Sequence, residues 1–259
     1  MSKRLLGILS LLLFLVITTS IRGGPVLQLP KSPAPLVRIS AAIPANLPQL
    51  DAASVRRFHS HSFILANDSD QAIVGLLVRW TFVDGDGQTV THDVATDSYK
   101  TTRQISVVPP HDRLLVAPGT FVLESLAQAP HIGNGIETMD GRIDAGISND
   151  AAVTIKVDSI IFENGDVFGA NEFGYDTEIE DRKLAATELA NQIRKAEAKG
   201  DDLDTVFVNI LETKASVNDF VAKWRSIYAR SLQRKSTASF ETRLRTMENL
   251  PEPPKFNRK

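Results

Sequence analysis

A two-residue alternation of side chains between Ala72 and Gly87 constrains the fold of this chain more than any other feature. Large apolar residues occupy every second position: Val74, Leu76, Val78, Trp80 and Phe82. This period, and the β-branched and aromatic residues that carry it, predict a β-strand with one face in a core. The other face is mixed, since it carries Arg79 and Thr81. The Asp-Gly-Asp-Gly sequence at the end predicts a hairpin to a second strand that begins at Gln88.

A second stretch, from Val153 to Gly169, repeats this pattern. Its alternating apolar residues are Val153, Ile155, Val157 and Ile161. The Asn164-Gly165 pair that follows predicts a type I′ turn. With the other short runs, the predicted strands are 36–41, 57–65, 73–83, 88–95, 105–108, 114–116, 121–126, 153–162 and 167–168. Short strands separated by polar turns predict an antiparallel β-sandwich of seven to nine strands over residues 36–172.

The period changes to that of an α-helix after the sandwich, so residues 173–250 are predicted to form a subdomain of three to four helices. The first helix is predicted to begin with a capping box at Thr177 and to stop at Gly200. Ser216 is predicted to cap the third helix. The apolar stripe of that helix contains three large aromatic residues: Phe220, Trp224 and Tyr228. The predicted fold class is therefore α+β, with a disordered tail at residues 251–259.

The first 22 residues are predicted to be an export signal. Lys3 and Arg4 precede thirteen largely apolar residues, Leu5–Ile17. At about 1.5 Å per residue this run reaches roughly 20 Å, short of the roughly 30 Å hydrocarbon core of a membrane. We therefore predict a cleaved signal and an exported protein, periplasmic or secreted, with an uncleaved N-terminal membrane anchor as the alternative. Residues 23–35 are a Pro- and Gly-rich linker, and no other segment approaches transmembrane length.

The composition removes several functional classes. The chain has no cysteine, which excludes disulfides, thiolate metal sites and a cysteine nucleophile. Its net charge of −2 argues against a nucleic-acid binder. Residues 172–212 hold 11 acidic and 5 basic side chains, whereas residues 213–259 hold 4 acidic and 11 basic ones. Either these two halves neutralise each other as a packed hairpin, or the basic end docks on an anionic envelope surface or an acidic partner.

Motifs for catalysis are missing from the sequence. It contains no G-x-S-x-G, no H-E-x-x-H and no phosphate-binding glycine loop, so we predict no enzyme, no catalytic residue and no cofactor. His59 and His61 would lie about 7 Å apart on one strand face, which suits a metal ion, but two solvated histidines are the simpler interpretation. Asp84 and Asp86 resemble calcium ligands, yet a hairpin turn accounts for them. The alternative function is a hydrolase or metal-binding protein with a site near the glycine-rich loop 127–150.

The residues from Ser62 to Gly87 carry a resemblance to a known family. They comprise a strand, a polar Asn-Asp-Ser-Asp turn and the pattern Ile-Val-x-Leu-x-Val-x-Trp-x-Phe-x-Asp-x-Asp-Gly. This arrangement resembles the immunoglobulin-like or fibronectin-III-like sandwich modules of exported bacterial proteins, in which Pro118-Gly119 would form a turn between sheets. The resemblance covers about half the chain and lacks the cysteine pair of antibody domains. It implies adhesion, spacing or assembly more than catalysis.

These predictions combine into one functional hypothesis. The chain is expected to be an exported, non-enzymatic protein that binds or supports structures at the cell envelope through its sandwich and helical faces. Its partner is expected to be a protein or the envelope surface, not a nucleic acid. If the stripe of the third helix is not fully covered by the rest of the protein, Phe220, Trp224 and Tyr228 form a partner-binding face; otherwise they belong to the core.

Overall fold

The structure, a computed structural model, describes residues 29–41, 61–83, 86–100, 106–118, 120–123, 152–213, 219–234, 236 and 238–259. These residues form strands in two sheets and four α-helices, which confirms the α+β class. The strands are β1 (Val37–Ala41), β2 (Phe63–Asn67), β3 (Ile73–Val83), β4 (Thr89–Asp97), β5 (Arg113–Ala117), β6 (Thr120–Leu123), β7 (Ala152–Phe162) and β8 (Asp166–Phe168). The helices are α1 (Tyr175–Lys199), α2 (Leu203–Glu212), α3 (Phe220–Gln233) and α4 (Phe240–Glu248), and a two-residue strand, β9 (Asn257–Arg258), follows them.

The strands are arranged as a small and a large sheet. The small sheet has the order β1-β2-β5-β6, and the large sheet has the order β4-β3-β7-β8-β9. Neighbouring strands are antiparallel except for β8 and β9. The predicted hairpin between β3 and β4 is confirmed, since Val83 pairs with Thr89. A single apolar cluster, which we call the sandwich core, includes residues of both sheets, and its largest fully buried side chains include Phe63, Leu65, Leu76, Trp80 and Leu114.

A register shift near the start of β3 changes which residues face this core. The pairing of β3 with β7 is irregular between Ile73 and Gly75. Ile73 therefore belongs to the sandwich core, whereas Val74 belongs to a cluster on the opposite face of the sheet. The prediction that Val74 shares the core face with Trp80 is wrong, because an irregularity of this kind reverses the alternation of side chains.

A second irregularity lies in β7, at Asp158. Val78 pairs with Val157 and Leu77 with Ser159, so Asp158 is the extra residue. Beyond it Ile160 faces the sandwich core, while Ile161 joins the cluster on the opposite face. The predicted common face for Val157 and Ile161 is therefore wrong for the same reason.

Helix α1 belongs to two cores. Its N-terminal part packs on the outer face of the large sheet, where Tyr175 and Ile179 join Leu77 and Val167 in one apolar cluster. Its C-terminal part packs against the other three helices in a separate cluster, whose largest members include Leu189, Ile193, Phe207, Leu232 and Leu244. The sandwich and the helices are therefore joined by one continuous element.

The ends of α1 show which capping predictions hold. The helix begins after Gly174, which has a φ of 60° and no side-chain cap, so the predicted capping box at Thr177 is wrong. The side-chain oxygen of Asn171 instead accepts a hydrogen bond from the Tyr175 N–H at 2.8 Å. This interaction depends on the fold of the preceding loop, which the local pattern does not contain. The predicted stop at Gly200 is confirmed by its left-handed φ of 75°.

Residues 251–259, for which the sequence predicts disorder, instead lie against the large sheet. Asn257 and Arg258 form β9 beside β8, and the Asn257 N–H donates to the Gly165 carbonyl at 2.8 Å. The Arg258 guanidinium also pairs with the Asp176 carboxylate at 2.9 Å. Proline gives this segment an extended path, and the unpaired edge of β8 supplies its hydrogen-bond partners.

The structure also differs from two turn predictions. Gly165 has a φ of 88°, but Asn164 does not have a positive φ, so the pair does not form a type I′ turn, which requires both. Strands β5 and β6, which flank Pro118, belong to the same sheet. Pro118 therefore does not mark a turn between sheets.

Candidate functional site

Helix α3 presents the surface that the sequence singles out for binding. The helix begins after Asp219, whose carboxylate accepts a hydrogen bond from the Ala222 N–H at 2.8 Å; the predicted cap, Ser216, lies outside the described residues. Ala229 and Leu232 pack into the core that α3 shares with the other helices. Five exposed residues lie on the opposite side, four in the helix and Arg234 at its C-cap, and we call them the outer face of α3: Phe220, Lys223, Ile227, Arg230 and Arg234.

The outer face combines exposed apolar side chains with basic ones. Phe220 is 39% exposed and Ile227 is 40% exposed, although both are large and apolar. The described residues provide no ion-pair partner for Lys223, Arg230 or Arg234. Lys223 lies over the Phe220 ring instead, with its Nζ 5.5 Å from the ring centroid. The face is therefore apolar and positively charged.

The three aromatic residues predicted for binding lie at different depths. Phe220 is on the outer face, whereas Trp224 and Tyr228 are half-buried beside it. The Trp224 and Tyr228 rings lie 5.9 Å apart, and Tyr228 packs on the helical core. On its other side Trp224 meets the guanidinium of Arg182, whose Cζ lies 5.2 Å from the ring centroid. Trp224 and Tyr228 thus connect the outer face to the interior of the protein.

A buried ion pair lies behind Trp224. Arg182 is only 2% exposed, and its Nη2 atom lies 2.8 Å from the fully buried carboxylate of Asp97. The Tyr175 hydroxyl donates to the same carboxylate at 2.7 Å. The Lys100 Nζ lies 3.7 Å from this carboxylate and donates to the Ala95 carbonyl. These interactions join the end of β4 to the first turns of α1.

The environment of this pair shifts the pKa values of its members. Burial raises the pKa of Tyr175 well above its ordinary value, and the negative charge of Asp97 adds to the effect. Burial lowers the pKa of Lys100, although Asp97 opposes this change. For Arg182 burial favours the neutral form, but the charge of Asp97 outweighs it and the pKa is raised. The network therefore holds Tyr175 protonated and Arg182 charged.

The sequence of α1 contains a signal for this buried cation, whereas the prediction of a binding site considered only the aromatic stripe of α3. Arg182 lies three residues after Ile179 and four before Ala186, so it occupies the buried stripe of α1. A charged residue at such a position is buried only when it is paired. Its partner, Asp97, is 85 positions away along the chain and cannot be identified from spacing.

The acidic half, residues 172–212, and the basic half, residues 213–259, neutralise each other only in part. Arg225 pairs with Glu188 at 3.2 Å, which joins the basic half to the acidic half. Arg194 pairs in the opposite sense, since it is a basic residue of the acidic half that contacts Glu241 and Glu248. Mutual neutralisation therefore accounts for some of the charges, and the outer face of α3 keeps its excess of positive charge.

The candidate metal ligands are not brought together in the described part of the chain. No group of three or more His, Asp or Glu residues there is placed to hold a metal ion. The His61 ring packs on Phe82, with ring centroids 5.9 Å apart. His59, Asp84 and the loop 127–150 lie outside the described residues.

His61 and His92 lead to a prediction about pH. Both lie beside β3, since His61 contacts Phe82 and His92 pairs with Trp80 in the sheet. Burial lowers both pKa values, so the folded protein favours the neutral rings. Their contribution to the free energy of unfolding is complete above pH about 6.5 and is lost as the pH falls below it, by at most about 1.4 kcal/mol per pH unit for each ring.

Urea unfolding between pH 7 and pH 5 measures this dependence. We expect a His92→Gln variant to lose less stability over this range than the unmodified protein, because one of the two rings shown to have a lowered pKa is gone. An unchanged slope in the variant would contradict the prediction for His92.

The chain matches no family model, no curated protein and no solved structure. None of the helices formed by the described residues is long and apolar enough to cross a membrane. The outer face of α3 is the feature on which the predicted binding role depends.

Proposed function

We propose that this chain is an exported, non-enzymatic protein that binds at the cell envelope, and that the outer face of α3 docks on an anionic lipid surface. The observation that supports the proposal is the composition of that face. Phe220 and Ile227 are exposed beside Lys223, Arg230 and Arg234, and the described residues offer these cations no ion-pair partner. Aromatic and aliphatic side chains among basic ones are typical of helices that lie in a membrane interface.

The expected contributions to the free energy of binding favour weak docking that a second attachment would stabilise. Helix α3 has 14 residues and is therefore about 21 Å long, so its basic residues can reach one surface together. Each cation near an anionic membrane contributes about 1 kcal/mol. Three cations and two partly inserted apolar side chains give weak, reversible binding, which becomes stable with a second attachment. An uncut N-terminal signal would supply such an attachment.

The sandwich fits this role as an immunoglobulin-like spacer, which is part of the same proposal. Such modules place strands A, B and E in one sheet and strands C′, C, F and G in the other. The orders β1-β2-β5 and β4-β3-β7-β8 correspond to these two sets. Under this proposal Trp80, fully buried on β3, would correspond to the strand C tryptophan of antibody domains. Strand β6 departs from the pattern, because it lies where strand D would lie but follows β5 in the chain.

A vesicle sedimentation experiment tests the docking proposal. We expect the protein to bind phosphatidylglycerol vesicles better than phosphatidylcholine vesicles. Removal of three charges, in a Lys223→Ala, Arg230→Ala, Arg234→Ala variant, should weaken this binding by about a hundredfold or more, since each tenfold corresponds to about 1.4 kcal/mol. A Phe220→Ser, Ile227→Ser variant should also bind more weakly, with an unchanged unfolding midpoint.

The matched control removes the same number of charges elsewhere. Lys195, Lys199 and Lys255 are exposed and do not lie on α3, so replacing them with alanine should leave most of the binding intact. Equal losses in the two triple variants would mean that only net charge matters and would overturn the docking face. Binding to native envelopes through α3, without binding to lipid vesicles, would point to an acidic protein partner instead.

A further inference from the structure

A cleft of about 320 Å³ lies where the C-terminal segment passes the large sheet. Four parts of the chain form it: the start of β3, the residues after β4, the turn between β7 and β8, and the segment after α4. Val74 and Pro254 supply apolar walls, and Tyr99, Ser106, Glu163 and Glu252 supply polar ones. None of these residues lies on the outer face of α3.

Tyr99 supplies a hydroxyl group to this cleft. It is only 9% exposed, and its hydroxyl has no hydrogen-bond partner among the described residues, although its backbone N–H donates to Asp97. Burial and the charges of Asp97 and Glu163 raise the pKa of Tyr99 to about 12, so its hydroxyl is protonated at neutral pH. The oxygen of this hydroxyl keeps contact with solvent, so it can form a hydrogen bond with a ligand in the cleft.

Glu163 gives the cleft a negative charge that no cation of the described residues compensates. Its Oε1 atom accepts a hydrogen bond from the Ala72 N–H at 3.1 Å, and no cation of the described residues pairs with it. The second carboxylate is already neutralised, since Glu252 lies 3.0 Å from the Lys183 Nζ. Within the part of the chain that the structure describes, the site therefore has one carboxylate without a cation and one hydroxyl without a hydrogen-bond partner, and its walls are partly apolar.

We propose that this cleft binds a small organic ammonium ion that carries hydroxyl groups, of the amino sugar class. The ammonium group donates to the Glu163 carboxylate and to the Tyr99 hydroxyl oxygen, and the ligand hydroxyls bond with Ser106. A charge-assisted hydrogen bond is about twice as strong as a neutral one, so the cation distinguishes this ligand from a neutral sugar. A volume of about 320 Å³ accommodates a ligand of monosaccharide size.

Titration of the full chain with glucosamine, followed by the backbone amide spectrum, tests this site. We expect saturable shifts at residues of the cleft and at least tenfold weaker binding of N-acetylglucosamine, which has the same hydroxyls but no cation. Glu163→Gln should weaken glucosamine binding at least tenfold. Tyr99→Phe, which keeps the ring in place, should weaken it severalfold.

Two further variants make the result specific. Glu212→Gln removes an exposed carboxylate at the end of α2 and should leave glucosamine binding unchanged. The Phe220→Ser, Ile227→Ser variant should also bind glucosamine normally, because the cleft and the outer face of α3 share no residue. Equal affinity for N-acetylglucosamine, an unaffected Glu163→Gln variant with native amide shifts, or shifts that never saturate would each overturn the proposal.

Discussion

An Asp97→Asn variant is expected to lose about 3–5 kcal/mol of its free energy of unfolding, the cost of breaking a buried ion pair from one side. Arg182 would then remain charged and almost fully buried, with an amide where the carboxylate stood. Tyr175 would also lose its charged acceptor. Urea or guanidinium unfolding followed by circular dichroism measures the loss.

Two comparisons show whether the loss comes from the pair. Asp93→Asn breaks the pair with Arg79, in which both side chains are partly exposed, and should cost less than about 1 kcal/mol. In a double variant, Asp97→Asn with Arg182→Met, neither member of the pair is charged, so the loss should be clearly smaller than the sum of the two single losses. If Asp97→Asn costs no more than Asp93→Asn, the pair does not hold α1 on the sheet.

A Gly169→Ala variant is also expected to be strongly destabilised, with a loss of at least about 3 kcal/mol in its free energy of unfolding. Gly169 has a φ of 113°, and an added Cβ would lie 2.2 Å from the carbonyl oxygen of Asp158. That oxygen accepts the Asn171 N–H at 3.0 Å, so relief of the clash would move the loop that starts α1. Thermal and urea unfolding should both show the loss.

Gly200 supplies the control for the effect of backbone conformation alone. It also has a positive φ, 75°, but an added Cβ would have no heavy atom within 4 Å. Gly200→Ala should therefore cost only about 1 kcal/mol. Similar losses in the two variants would mean that the contact with Asp158 is not what makes Gly169 necessary.

Periodicity was sufficient to locate most of the regular elements. The predicted strand 73–83 coincides with Ile73–Val83, and 153–162 differs from Ala152–Phe162 by one residue. A strand with one face in a core must alternate, and a helix with one buried face must repeat every three or four residues, so these patterns are local. Gly200 ends α1 for a similarly local reason.

The features that periodicity missed depend on residues far apart in the chain. The extra residue Asp158 fits because its side chain accepts hydrogen bonds from Ser159 and from the Glu172 N–H, 14 positions away. The pairing of β9 with β8 likewise requires the finished sheet. For the outer face of α3, the pattern placed Phe220, Trp224 and Tyr228 on one side. Their different depths follow from the packing of α1 against the helix, which the pattern does not contain.

The membership of α1 in both apolar cores has a mechanical consequence. A helix of 25 residues is a rod about 37 Å long, and it has no break at which the sandwich could swivel against the helices. If α3 docks as proposed, a force on α3 would be transmitted to the large sheet through α1. The ion pair between Arg182 and Asp97 connects the N-terminal part of α1 to that sheet. The orientation of the two sheets relative to the lipid surface would then be fixed by α1 and not by a flexible linker.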